Sequence, residues 1–278
     1  MSEADAWSRY WARETSGSCL PGAPPAVQSV LAQAWTVAAQ RLPVAARVLD
    51  VAAGGGAVLK AMHGARPDLQ LSGIDAATVG PAAQALGVRG GVDAGQLPFG
   101  DSSFDLVTSQ FGLEYCGEAA WREAVRVLKP DGQLQLICHH QDSAAVAHNR
   151  RRLAAMQAMA AAGLFRLAAD LAERGVEDIA LVTSVQAARA AHGDQSVVQE
   201  LPAALGQWAR ARRPDAVAAI RAEAEAEMAR LVAMQAAALD QRRLADRLAW
   251  LAPVAATAEP LAGPDGAPIG WLVRGRLG

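Results

Sequence analysis

The sequence is poor in the features that would place it in a specialised class of protein. Its three cysteines among 278 residues, Cys19, Cys116 and Cys138, lack CxxC spacing, which excludes a disulfide scaffold and predicts free thiols. The 26 basic and 28 acidic residues leave a net charge of −2, so no overall field attracts nucleic acid. No uncharged apolar run approaches the roughly 20 residues of a membrane-spanning helix, and the opening MSEADAWSRY lacks the apolar core of a signal peptide. We expect a cytoplasmic protein without a transmembrane segment or a nucleic-acid partner.

Apolar residues, by contrast, are abundant. They make up 52% of the chain against 19% charged residues, and the excess is visibly alanine, which favours helix. A chain of this length can bury a sizeable core without covalent cross-links. The composition therefore predicts a globular, helix-rich protein.

The pattern of residues along the chain divides it into three parts. Residues 1–25, with WSRYWARE followed by SGSCLPGAPP, predict an N-terminal arm, and VQSVLAQAWTVAAQR after it predicts a helix. Five candidate strands follow, separated by helical stretches: ARVLDVA, LQLSGID, GGVDAG, SFDLVTSQFG and QLQLICHH. Strands that alternate with helices at this interval pair in parallel through right-handed crossovers. We expect a doubly wound α/β domain formed by residues 26–142 and 255–278.

Residues 143–254 carry no strand pattern and predict an all-helical insertion. The stretch that starts at Pro214 is typical of one long helix with proline in its first turn. After the insertion, TAEPL, GPDG and APIGWLVRGRL predict a C-terminal hairpin. Long helices with small faces suit close packing, so the insertion could support a homodimer.

The most informative segment is VLDVAAGGG, from Val48 to Gly56. A hydrophobic strand here contains Asp50 and leads to small residues at Ala52, Gly54 and Gly56 before a helix. Small residues let a ligand approach the backbone, and a helix N-terminus offers free amide donors. The dinucleotide fingerprint GxGxxG fits badly because Leu59 stands in the place of its last glycine, which makes a nicotinamide-dependent oxidoreductase the weaker alternative.

Two further acidic residues are predicted at strand ends. Asp75 ends the second strand and Asp93 the third, where a doubly wound fold brings strand ends together at a binding crevice. The Asp75 carboxylate suits the two hydroxyls of a ribose. The Asp93 carboxylate suits an adenine amino group, with the Ala94 amide beside a ring nitrogen.

These motifs together resemble those of a known family. VLDVAAGGG, SGID, VDAGQLPFGDSSFDLV and EAVRVLKPDGQLQL look like the motif series of class I S-adenosylmethionine-dependent methyltransferases, in the small-molecule branch that includes ubiquinone and menaquinone biosynthesis enzymes. The resemblance covers about Val44 to His140 and the C-terminal hairpin. It implies a Rossmann-like seven-stranded sheet, and S-adenosylmethionine as cofactor. The sequence departs from the family at Ala52, where glycine is usual.

The resemblance also implies which residues hold the cofactor. The methionine end would contact Asp50, Ala52, Gly54 and Gly56, the ribose Asp75, the adenine Asp93 and Ala94, and the sulfonium and acceptor Gln110 and Phe111. The segment LKPDG, Leu128 to Gly132, resembles the turn before the fifth strand.

Methyl transfer is an in-line displacement, so the enzyme aligns the reactants, excludes water and, for some acceptors, removes a proton. His139 and His140 end the fifth strand, and an unperturbed imidazole titrates near pH 6.5. Glu114 and Tyr115 follow the fourth strand and could reach the acceptor. These four residues are the candidate catalytic groups. Adjacent histidines lack the spacing of metal ligands, and we expect no metal.

Three aromatic residues of the arm, Trp7, Tyr10 and Trp11, would share one face of a helix. They could close over the site and contact the sulfonium, or simply dock the arm.

The leading hypothesis is a methyltransferase that acts on a small, apolar or lipid-like acceptor beneath the helical insertion. A catalytically silent S-adenosylmethionine-binding scaffold is the main alternative. An RNA methyltransferase is disfavoured because no basic excess or nucleic-acid motif is present.

Overall fold

The computed structural model describes residues 3–14, 17–18, 20 and 22–278, and it divides the chain into two compact units. The larger unit comprises the chain up to Val146 together with Met234–Gly278, and the smaller comprises Ala147–Ala233. Cys19 lies outside the described residues, whereas Cys116 and Cys138 are free thiols.

A seven-stranded sheet forms the centre of the larger unit. Its strands are β1 (Arg47–Val51), β2 (Gln70–Ile74), β3 (Val88–Arg89), β4 (Phe104–Gln110), β5 (Leu128–His139), β6 (Ala255–Ala262) and β7 (Pro268–Arg276). Their order in the sheet is β3-β2-β1-β4-β5-β7-β6. The first five pair in parallel, and β7 is antiparallel to both β5 and β6. The predicted Rossmann-like sheet with a C-terminal antiparallel hairpin is confirmed.

Helices cover both faces of this sheet. The helices before β5 are α1 (Glu3–Trp11), α2 (Pro25–Gln40), α3 (Ala57–Ala65), α4 (Pro81–Ala85), a 3-10 turn (Leu113–Tyr115), and α5 (Glu118–Arg126). Leu49 and Val51 of β1 belong to one core cluster, whereas Val48 belongs to another. Because successive side chains of a strand point to opposite faces, these clusters lie on opposite sides of the sheet. The first contains Trp121 of α5 and the second contains Trp35 of α2.

The third strand is not where the sequence pattern indicates. GGVDAG does not form a strand; β3 is the preceding Val88–Arg89, paired with Gly73 and Ile74 of β2. After Arg89 the chain turns at Gly91, whose φ is +73°. Asp93 therefore lies in a loop rather than at a strand end.

The fifth strand begins earlier than predicted. Leu128 already pairs with Phe104 of β4, so the LKPDG segment is the irregular first part of β5 and not a separate turn. Asp131 adopts a φ of +63° within it, and the register shifts before Gln133. His140 follows the strand and forms a bridge with Leu239.

The remaining helices follow β5. They are α6 (Ala144–Ala161), α7 (Leu164–Arg174), α8 (Ile179–Ala191), α9 (Val197–Arg210), α10 (Pro214–Ala237) and α11 (Gln241–Ala249). Gly163 and Gly175 flank α7 with positive φ values, and the Asp178 side chain caps α8 by accepting from the amides of Ala180 and Leu181. The smaller unit has its own core, which includes Met156, Phe165, Val198 and Leu231. Among the helices described, none combines the length and hydropathy needed to span a membrane.

The long helix predicted from Pro214 is in fact two helices. Between α10 and α11, Leu239 donates its amide to the His139 carbonyl at 2.8 Å and accepts from the Gln141 amide at 3.1 Å. Asp240 then caps α11 by accepting from the Arg243 amide at 2.7 Å. Bonding to the end of β5 thus replaces the helical hydrogen bonds of Leu239 and breaks the helix.

Candidate functional site

A cavity of about 250 Å³ lies at the carboxyl ends of β1, β2 and β4, inside the larger unit. Most of the site residues predicted from the sequence line it: Asp50, Ala52, Asp75, Asp93, Ala94, Gln110, Phe111 and Tyr115. They converge because parallel strands present their carboxyl ends at one edge of the sheet.

Asp50 is a buried carboxyl group of the cavity. The register of β1 and β4 places Thr108 opposite it, and the Thr108 hydroxyl donates to Asp50 Oδ1 at 2.9 Å. Asp50 Oδ2 is buried and has no hydrogen-bond partner among the described residues. Burial raises the pKa of Asp50 to about 8, and the nearby Asp75 carboxylate adds to the rise. Asp50 Oδ2 can therefore accept a hydrogen bond from a ligand, and a positive charge beside it would stabilise the ionised carboxylate.

Asp75 organises the loop that follows β1. Its Oδ2 accepts from the Gly54 amide and its Oδ1 from the Ala77 amide, both at 2.8 Å. Burial raises the pKa of Asp75 despite these two bonds. Because each carboxylate oxygen has two lone pairs, Asp75 can still accept from a ligand.

The glycine turn follows a tight path. Ala52, Gly54 and Gly56 all adopt positive φ, at 55°, 50° and 80°. Ala52 lines the cavity, while Gly54 and Gly56 are not part of its lining. A Cβ atom on Gly54 would lie 2.1 Å from the indole of Trp11, so only glycine permits this contact. Behind the turn, Ala57 and Val58 at the start of α3 also line the cavity.

Asp93 reaches the cavity from the loop after β3. Its Oδ1 accepts from the Gly95 amide at 2.8 Å, which closes a short turn that holds the buried Ala94 beside it. Both residues line the cavity although the third strand ends earlier than predicted.

Gln110, the last residue of β4, and Phe111, which follows it, form one wall of the cavity. The Trp35 indole donates to Gln110 Oε1 at 2.6 Å, which fixes the Gln110 side chain. Phe111 adopts a φ of +53°, and its ring stacks on the His139 imidazole with centroids 4.5 Å apart.

Of the four candidate catalytic residues, Tyr115 alone lines the cavity. Glu114 is buried behind it, where Oε1 accepts from the His139 amide at 2.7 Å and Oε2 has no hydrogen-bond partner among the described residues. Burial raises the pKa of Glu114 to about 7. The His139 ring lies between Phe111 and Tyr115.

His140 points elsewhere. Its ring stacks on Trp271 of β7 with centroids 4.4 Å apart, and its Nδ1 accepts from the Asp142 amide. Burial lowers the pKa of His140. The catalytic roles of His139, His140 and Glu114 stay predictions, and their positions outside the cavity lining do not favour them.

The N-terminal helix α1 covers the cavity. Trp7 and Trp11 line it and stack on each other, and Trp7 meets Tyr115 edge to face with centroids 5.5 Å apart. The Ser8 hydroxyl accepts from the Thr78 amide at 2.9 Å, and the Tyr10 hydroxyl donates to the Ser18 carbonyl at 2.8 Å.

Sequence reasoning missed several residues of the site. Thr108 donates a hydrogen bond to Asp50, and Trp35 donates one to Gln110. Gly112 and Cys116 line the cavity directly. The strand register would have revealed Thr108, whereas no local pattern marks Trp35. No group of three or more metal-ligating side chains occurs in the described part of the chain.

Comparison with known proteins agrees with this geometry. Residues 49–136, which run from β1 into β5, match the family model described as a methyltransferase domain. This part of the chain is therefore similar to a methyltransferase domain. A segment of 121 residues is 39% identical to the ubiquinone/menaquinone biosynthesis C-methyltransferase UbiE of Stenotrophomonas maltophilia and covers 38% of this chain and 48% of that enzyme. The match thus spans about half of the relative's length.

The solved structures that match the chain share less sequence with it. The YcgJ protein of Bacillus subtilis aligns over 90% of this chain and 97% of its own, with 19% identity and a TM-score of 0.38. Geranyl diphosphate C-methyltransferase from Streptomyces coelicolor, solved with Mg²⁺, geranyl diphosphate and S-adenosyl-L-homocysteine, aligns over 50% of this chain and 65% of its own, with 15% identity and a TM-score of 0.39.

Proposed function

We propose that the chain binds S-adenosylmethionine in the cavity and transfers its methyl group to a small, apolar or lipid-like acceptor. One observation carries the proposal: Asp50, Asp75 and Asp93, which are far apart in sequence, line one cavity beside the glycine turn. The methyltransferase domain match covers all three residues.

The residues present fit this cofactor. Asp50 Oδ2 lacks a partner among the described residues, and an ammonium group of the methionine end would supply the missing donor and positive charge. Asp75 would hold the ribose hydroxyls with the lone pairs that its two backbone bonds leave over. Asp93 and Ala94 would hold the adenine, while Ala52, Gly54 and Gly56 shape the turn around the methionine end. When bound, the cofactor supplies an electrophilic methyl group on a positively charged sulfur.

The chain's own contribution to the transfer is alignment and exclusion of water. Gln110 is fixed by Trp35, and Phe111 is stacked on His139, so this wall is rigid. Trp7 and Trp11 cover the cavity and limit access of water. For an acceptor that must lose a proton, Tyr115 is the candidate catalytic group that lines the cavity. Apart from the three aspartates and Gln110, most of the described lining is apolar, which favours an apolar acceptor. The roles of residues 143–254 as an acceptor cover and as a dimer surface stay predictions.

Calorimetric titration with S-adenosylmethionine tests cofactor binding. Wild type is expected to bind, and Asp75→Ala to bind about 10- to 100-fold more weakly, because a charged hydrogen bond is worth roughly 1.5–3 kcal/mol. Asp246→Ala, on the exposed face of α11, is the matched control and should bind like wild type. The absence of binding by folded wild type would contradict the proposal.

Turnover needs a separate measurement. Protein incubated with methyl-labelled S-adenosylmethionine and a panel of small apolar acceptors should release S-adenosyl-L-homocysteine and transfer label to one of them. Binding without turnover over a broad panel would instead favour the silent scaffold. Binding of reduced nicotinamide cofactor in place of S-adenosylmethionine would favour the oxidoreductase.

A further inference from the structure

The cavity has a roof of aromatic rings contributed by α1. Trp7 and Trp11 are one helical turn apart, their ring centroids are 6.1 Å apart, and their planes differ by 21°. Trp11 contacts Gly54, and Trp7 contacts Tyr115. The rings thus extend from the glycine turn to the 3-10 turn that contains Tyr115.

The N-terminal segment that carries this roof is in close contact with the glycine turn. A Cβ atom on Gly54 would come within 2.1 Å of the Trp11 ring, and one on Gly55 within 2.4 Å of Gly17 Cα. Both contacts exist only because glycine occupies these positions. A substitution of Trp11 therefore alters a direct contact with the glycine turn.

Three acidic side chains line the same cavity as the indole rings. Asp50, Asp75 and Asp93 line the cavity, and none of the described residues in its lining is lysine, arginine or histidine. A cavity lined by both acidic side chains and indole rings favours a cation, because ionised carboxylates and aromatic faces both attract positive charge.

We propose that Trp7 and Trp11 are specificity residues of this site, which make the cavity favour a ligand with a positively charged centre over its neutral counterpart. This inference rests on the proposed function, for which the two ligands are S-adenosylmethionine and S-adenosyl-L-homocysteine. Methyl transfer removes the positive charge from sulfur, so the product loses the attraction of the indole rings. The roof therefore helps the cavity to release the spent cofactor.

The test compares three probes that differ in charge at one position: S-adenosylmethionine with a sulfonium, sinefungin with an amine, and S-adenosyl-L-homocysteine with a neutral thioether. Their dissociation constants are measured for wild type, Trp7→Leu and Trp11→Leu. Leucine keeps apolar bulk and removes the ring. We expect each substitution to weaken binding of the two cationic probes by about 3- to 30-fold, which is the range of a cation–π contact. Binding of the neutral probe should change much less.

Two further variants complete the design. Trp11→Phe keeps an aromatic ring and should retain part of the preference, which separates ring chemistry from loss of packing. Trp208→Leu makes the same substitution in the smaller unit, outside the cavity lining, and should leave all three affinities unchanged. Thermal unfolding of each variant confirms that it is folded.

The outcomes separate this inference from the proposed function. If wild type binds none of the probes, both are overturned. A second outcome is that wild type binds the probes while the leucine substitutions lower the affinity for all three equally, or for none of them. In that case the indole rings only cover the cavity, and the inference alone is overturned.

Discussion

The buried carboxylate of Glu114 accepts a hydrogen bond from the His139 backbone amide, with Oε1 2.7 Å from the nitrogen. This bond joins the turn after β4 to the end of β5. The His139 ring in turn supports Phe111, whose side chain lines the cavity. Glu114 thus acts on the site through His139.

We expect Glu114→Ala to destabilise the protein by about 1–3 kcal/mol, because it leaves a buried amide without an acceptor. Glu114→Gln retains a side-chain oxygen and should cost much less. Urea unfolding at pH 6 checks both variants. An alanine variant as stable as wild type would show that the bond contributes nothing.

The raised pKa of Glu114, about 7, makes stability depend on pH. The folded state holds this proton more tightly than the unfolded state, whose pKa is near 4.5. The stability that comes from this tighter proton binding is therefore fully present below pH 4.5 and is lost as the pH rises through 7. Relative to wild type, Glu114→Gln should gain roughly 1–3 kcal/mol of unfolding free energy between pH 4.5 and 8. A constant difference over this range would contradict the raised pKa.

Cofactor binding should also depend on pH through Asp50. With a pKa of about 8, this group is mostly protonated at pH 6 and must lose its proton to receive an ammonium group. Affinity for S-adenosylmethionine should therefore rise with pH between 5.5 and 7.5, by at most about tenfold per unit. Asp50→Asn should bind more weakly at pH 7.5 and show a smaller slope, whereas Asp246→Asn should keep the wild-type slope. Calorimetry in buffers of different ionisation enthalpy measures the proton release.

Ala52 and Gly112 are packed so closely that their substitutions should be coupled. A Cβ atom on Gly112 would lie 2.6 Å from Ala52 Cβ and 2.8 Å from Ala52 O. Gly112→Ala should cost about 1–3 kcal/mol through overpacking. Ala52→Gly should stabilise by up to about 1 kcal/mol, because alanine is strained at a φ of +55°. Unfolding of the two single variants and the double variant forms a cycle in which Ala52→Gly recovers part of the cost; strict additivity would refute the contact.

Gly55→Ala should release the N-terminal arm, because a Cβ atom there would lie 2.4 Å from Gly17 Cα. Displacement should expose Trp7 and Trp11 and shift tryptophan emission to the red. It should also speed cleavage by trypsin at Arg9 and Arg13 several-fold. Gly64→Ala is the control, since a Cβ atom at Gly64 meets nothing within 4 Å. Equal cleavage of the two variants would rule out a close contact between Gly55 and Gly17.

The sequence predicts the sheet and the acidic residues of the cavity well, for a physical reason. Strand periodicity identifies β1 and β2, and parallel strands bring their carboxyl ends together, so Asp50 and Asp75 were certain to be neighbours once the fold class was clear. Asp93 also lines the cavity, although β3 ends before it.

The sequence does not reveal where a side chain points or where long-range hydrogen bonds replace those of a helix. Glu114 follows β4 as expected, but its carboxylate turns towards the backbone of β5 and not into the cavity. Leu239 lies in a strongly helical stretch with no glycine or proline beside it, yet hydrogen bonds to His139 and Gln141 interrupt the helix there. Both outcomes depend on partners roughly 25 to 100 residues away, beyond any local pattern.

Val146 and Met234, which bracket the smaller unit in the chain, belong to one core cluster of the larger unit. A segment whose two attachment points share one core can be lengthened, shortened or exchanged while the strands keep their register. Homologous recombination between related genes could therefore replace Ala147–Ala233 wholesale, and a chimaera made by grafting another helical module at these two joints should still assemble the parent sheet.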